Sequence, residues 1–173
     1  NGGSTKAFIG TAYRIGGLSI GVNAGFLFGN QNINTERSFR NDSIFYFNSQ
    51  QQNNTYYSRF SLDGGIQYKL KLSKNNNLRI GATGFMGGNM NATQDRLRQT
   101  FIFNSSNGVD SLDVAERSTG NPGIITIPSG YSTGLQLEGG AGQWMIGAEY
   151  ETINWNEYRF FGKEDNVANA SLL

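Results

Sequence analysis

The chain has 173 residues, 24 of them glycine, with 37% hydrophobic and 13% aromatic side chains and a net charge of +1. Near-neutrality exerts no general pull on nucleic acid. The absence of cysteine excludes disulfides and thiolate metal sites, and the absence of histidine removes the commonest general base and metal ligand.

In chain order, residues 6–15 form a first alternating segment that ends at Gly16-Gly17, a two-residue hairpin signal. From Leu18 onward, Ile20, Val22, Ala24, Phe26 and Phe28 fall on one face, with Ser19, Gly21, Asn23 and Gly25 opposite. Residues 30–54 are polar and are expected to form a long loop. Residues 59–72 carry the clearest signal. Phe60, Leu62, Ile66, Tyr68, Leu70 and Leu72 share one face of an extended chain, and Arg59, Ser61, Asp63, Gln67, Lys69 and Lys71 share the other. Such a strand separates two solvents. At about 3.3 Å per residue it reaches ~46 Å, and tilted by about 40° it still covers the apolar belt of an outer membrane.

Residues 73–77 make a polar turn, and a fourth segment, with room to extend as far as Phe103, places Leu78, Ile80, Ala82 and Met86 against Arg79, Gly81 and Thr83. Residues 104–127 read as a second long polar connection. Residues 131–138 and 144–151 alternate again around a glycine-rich turn at 139–142. The connections therefore run short, long, short, long, short, so a meander would sort all tight turns to one end, as outer-membrane barrels do. No run of ~18 apolar residues offers a membrane helix, whereas a barrel strand needs only every second residue to face lipid. The expected fold is all-β, an antiparallel up-and-down transmembrane β-barrel in the bacterial outer membrane, with residues 1–173 supplying about six strands of one domain. Single-chain barrels begin at about eight strands, so further strands are expected on both sides.

Catalysis is not expected, since nothing here activates a serine or a water. Glu149 and Glu151 lie two residues apart on the inferred inner face, where Arg59 or Arg79 would solvate them. Asp110 and Asp113 lack the ligand spacing of a Ca²⁺ loop, and the 139–142 glycines lack the Lys-Ser/Thr of a phosphate loop; no cofactor or metal is expected. Arg37, Arg40, Arg96 and Arg98 suit lipopolysaccharide phosphates. Candidate lumen-facing residues are Arg59, Asp63, Arg79, Phe85, Met145, Glu149 and Glu151. Leu27 and Phe161 share their parity if no bulge falls at Gly87-Gly88 or near Asn154. Trp144, Tyr150, Tyr158 and Phe160 are candidates for an interfacial aromatic girdle.

The succession Ile127-Pro128-Ser129-Gly130-Tyr131-Ser132-Thr133-Gly134-Leu135, then Trp144-Met145-Ile146-Gly147-Ala148-Glu149-Tyr150, then Asn154-Trp155-Asn156-Glu157-Tyr158 resembles the FadL/TodX-like outer-membrane transport family, in the Asn-rich style of Bacteroidetes members. That resemblance implies a barrel of about fourteen strands with a plug, passing hydrophobic small molecules such as long-chain fatty acids or aromatic hydrocarbons. It implies outer-membrane lipids, lipopolysaccharide and a hydrophobic ligand as partners, and no nucleic acid. A secretion-associated barrel that binds an exported protein and a soluble secreted β-sandwich module are the alternatives.

Overall fold

The computed structural model describes residues 1–38, 47–104, 108–140 and 142–164, and the backbone of 170–172. Among these residues, eleven strands form one sheet: β1 (Gly2–Ile15), β2 (Leu18–Arg37), β3 (Asn48–Lys71), β4 (Asn77–Phe85), β5 (Gly88–Phe103), β6 (Val109–Ile127), β7 (Gly130–Gly139), β8 (Trp144–Ile153), β9 (Arg159–Phe160), β10 (Lys163–Glu164) and β11 (Ala170–Leu172). Every pairing whose register is defined is antiparallel. The sheet is all-β and open, and its only helical turn among the described residues is the 3-10 turn Trp155–Glu157.

The chain divides into two compact units. Unit 1 comprises Asn1–Thr5, Phe28–Ser58 and Asn91–Gly123; unit 2 comprises Lys6–Leu27, Arg59–Met90 and Ile124–Leu173.

Unit 1 corrects the two long-loop expectations. Residues 30–37 and 48–54 continue β2 and β3, and 109–127 is a single strand. In this unit β3 pairs with β5, from Asn48 opposite Phe101 to Ser58 opposite Asn91. Polar side chains satisfy one another across that ladder: Gln99 donates to Gln50 at 2.7 Å, and buried Gln94 donates to Thr55 Oγ1 at 3.0 Å. Glu116 lies 3.4 Å from Arg98 and 4.0 Å from Arg96. Between β5 and β6 the Asn104 N–H donates to Gly108 O at 2.9 Å. Arg40 and its neighbours lie outside the described residues.

Unit 2 contains the four-strand ladder β3–β4–β7–β8, in which the expected tight turns join β3 to β4 and β7 to β8. Gly16, with φ of 59°, makes the β1–β2 turn. The β3–β4 turn is closed by the Leu72 N–H on Asn76 O at 3.0 Å. Two connections do not turn back. The strand breaks at Met86-Gly87 between β4 and β5, and at Pro128-Ser129 between β6 and β7. Pro128 has no N–H for a ladder bond and is fully buried. A Cβ on Gly87 would lie 2.6 Å from Ile127 O and 2.4 Å from Ser129 N, so the two breaks sit directly against each other. The Asn154 N–H extends the contact to Ser129 O at 3.2 Å.

Candidate functional site

Register in unit 2 assigns each candidate side chain to a face. Asp63 is opposite Phe85, Phe85 opposite Gly130, and Arg79 opposite Gln136. Glu149 is opposite Gly134, Glu151 opposite Ser132, and Met145 opposite Glu138. Cross-strand partners point to the same side of a sheet. Asp63, Arg79, Phe85, Met145, Glu149 and Glu151 therefore share one face, and Arg59 lines the same trough as Asp63 and Phe85.

This polar face holds two concavities. One, of about 910 Å³, is lined by Phe8, Leu27, Arg59, Ser61, Asp63 and Phe85 among others. The second, of about 670 Å³, runs over Gly65, Gly81, Gly134 and Gly147, where missing side chains leave the space, and reaches Arg79 and Glu149. Lys6 pairs with Asp63 at the first. Arg79 pairs with Glu138 at 2.9 Å, and Glu138 also accepts from Gln136 Nε2 at 2.9 Å.

The carboxylates Glu149 and Glu151 were expected to meet Arg59 or Arg79, and they do not. Arg79 is taken by Glu138, one register row from the turn. Arg59 spends its guanidinium on the strand break, donating to the carbonyls of Met86 at 2.6 Å and Gly87 at 3.3 Å. Residue spacing gives no sign of that role, because a broken ladder exposes acceptors only once the neighbouring strand is in place. Ser61 is 9% exposed and its hydroxyl has no hydrogen-bond partner.

The opposite face is apolar in four successive rows. Leu70, Leu78, Leu137 and Ile146 form one; Tyr68, Ile80, Leu135 and Ala148 the next; Ile66, Ala82, Thr133 and Tyr150 a third; Gly64, Gly84, Tyr131 and Thr152 the last. It is solvent-facing, with Ile80 51%, Leu135 55% and Ile146 68% exposed. Trp144 sits at its turn end, over Gly139, where an added Cβ would lie 2.0 Å from the indole. Trp144 and Tyr150 thus share the apolar face. Tyr158 follows the 3-10 turn, 6.2 Å edge-on from Trp155, and Phe160 is in β9 opposite Ile125. Phe161, at φ of 51°, leaves strand geometry altogether. In unit 1, Asp110 accepts from Asn104 at 3.1 Å.

No described grouping of three acidic side chains could hold a metal ion, and no described helix is long and apolar enough to cross a membrane. None of the curated proteins and none of the solved structures compared matches the chain. A family model described as BamG matches residues 1–171. That match covers nearly the whole chain and overturns the FadL/TodX resemblance, which rested on residues 127–161. With it fall the hydrophobic-transport reading, both alternatives to it, and lipids, lipopolysaccharide or a hydrophobic ligand as the chief partners. The outer-membrane location stands, since the matched family is part of the outer-membrane assembly machinery. The chain belongs to the BamG family.

Proposed function

We propose that this chain serves the assembly of outer-membrane β-barrel proteins, as a membrane-embedded, non-catalytic component that works through protein partners of the BAM complex. The observation that carries this reading is the BamG match over residues 1–171. The two-faced sheet of unit 2 supports the membrane-embedded part. From Trp144 to Thr152 the apolar face runs ~26 Å along the strand at about 3.3 Å per residue, or ~20 Å along the barrel axis at a tilt of about 40°, which covers most of the ~25 Å apolar band of outer-membrane barrels. The sheet then belongs to the wall of a single closed barrel larger than the strands described. Its apolar face meets lipid, with Trp144 and Tyr150 toward the interfaces. Its polar face, with Arg59, Asp63, Arg79, Phe85, Met145, Glu149 and Glu151, lines the interior.

The test is affinity isolation of the tagged full-length protein from detergent-solubilised outer membranes, with depletion in parallel. Co-purification with the assembly machinery is expected, as is a fall in the levels of other outer-membrane barrels on depletion. A protein that purifies alone, and whose depletion leaves those barrels at normal levels, overturns the reading.

A further inference from the structure

The turn end of unit 2 carries an unbalanced charge. Arg14 lies two residues before the Gly16-Gly17 turn, Lys69 and Lys71 close β3, Lys74 sits in the β3–β4 turn, and Arg79 enters β4. Lys69 is the register partner of Arg79. The Lys69 N–H donates to Gly17 O at 2.8 Å, which sets the first turn beside the second. The one carboxylate flanking these turns, Glu138, is engaged by Arg79. Arg14 reaches the carbonyl of Gly16 at 3.1 Å. Among the described residues, the ammonium groups of Lys69, Lys71 and Lys74 have no hydrogen-bond or ion-pair partner. Five cations against one carboxylate leave an excess of four positive charges, in a chain whose net charge is +1. The rest of the chain is therefore net −3.

The orientation of these cations selects their counterpart. Lys69, Lys71 and Arg79 share the polar face with Asp63 by register, and Arg14 has the β1 parity of Lys6, which pairs with Asp63. Their charges point away from the apolar face, and lipid headgroups are approached from that apolar side. Only Lys74, in the turn, is free to reach either. We propose that this rim docks an acidic, Asp/Glu-rich segment of a partner polypeptide; the proposal rests on the assembly reading above and names the chemistry of its partner. Exposed cations on a rim give attraction that salt screens, with a Debye length of about 10 Å at 0.1 M.

The experiment is carbodiimide coupling, which joins lysine amines to carboxylates without a spacer, on the complex isolated with the full-length protein. Cross-links from Lys69, Lys71 or Lys74 to Asp or Glu residues of another polypeptide are expected. The triple variant Lys69→Gln, Lys71→Gln, Lys74→Gln should lower recovery of that polypeptide about tenfold, as three exposed ion pairs would. The triple Lys→Arg variant should keep recovery while losing the cross-links. Cross-links confined to the chain itself, or undiminished recovery with the Gln variant, overturn the proposal. So does a Gln variant whose defect is lost binding to phosphatidylglycerol nanodiscs with its partner retained. If the wild-type protein still co-purifies with the machinery in these cases, the assembly reading survives the loss of this surface.

Discussion

Gly87 is where one residue decides the most. Its Cα hydrogen faces Ile127 O, the Pro128 carbonyl carbon and Ser129 N, and a Cβ there would lie within 2.4 to 2.6 Å of all three. These are backbone atoms, so a methyl group cannot be accommodated by a rotamer change. Gly87→Ala should cost about 1–3 kcal/mol, the usual range for overpacking, read as a lowered urea midpoint of the detergent-solubilised protein. Ser61 sits in the same unit and makes the opposite case. Its hydroxyl is buried without a partner, and removing an unsatisfied group releases its desolvation cost. Ser61→Ala should therefore leave the midpoint unchanged or raised; a fall would show that the hydroxyl is bonded in the membrane. The glycine pair was legible as a place where strand parity slips, because glycine marks bends and close approaches in strands. Arg59's grip on the Met86 and Gly87 carbonyls was not, since its acceptors lie 27 and 28 residues away in sequence.

At the scale of elements, period-two contrast decided what could be seen. Where one face meets an apolar phase and the other does not, as in residues 59–72, the strand and its register were readable from sequence alone. In residues 48–54 both faces are polar, so the alternation vanishes although the ladder persists. Gln50 with Gln99 and Thr55 with Gln94 replace apolar pairing by hydrogen bonds, and sequence patterning reports such a strand as loop. The readable contrast makes a matched pair of predictions. Ile66, 48% exposed on the apolar face, should not tolerate Arg: at the membrane midplane the cost is about 2–4 kcal/mol. Gln67, its neighbour on the polar face, should accept Arg within about 0.5 kcal/mol. Heat-modifiable gel mobility of the two variants checks this. Equal assembly of both would mean that the apolar face does not meet lipid.

For the whole molecule, the two-solvent pattern was enough to place the chain in an outer membrane and too general to name its family. What the sheet leaves unsatisfied is a sharper guide. β1 pairs with β2 alone, and β8 pairs with β7 and, over Glu151 to Ile153, with β11. The remaining edge N–H and C=O groups of both strands have no ladder partner among the described residues. Yet Ile9 on β1 and Ile146 on β8 are 79% and 68% exposed, so each edge strand also carries apolar side chains suited to lipid. In hydrocarbon every unpaired backbone group costs several kcal/mol, and apolar exposure and bare edges are incompatible there. Both edges should therefore be paired in the membrane, by further strands of the barrel or by a strand of a partner. Hydrogen–deuterium exchange on the full-length protein in outer-membrane vesicles reads this directly. Amides of residues 6–15 and 144–150 should exchange as slowly as those of β4 and β7, which are paired on both sides. Rapid exchange confined to those two strands would mean that the edges face water, and a closed wall would then be excluded.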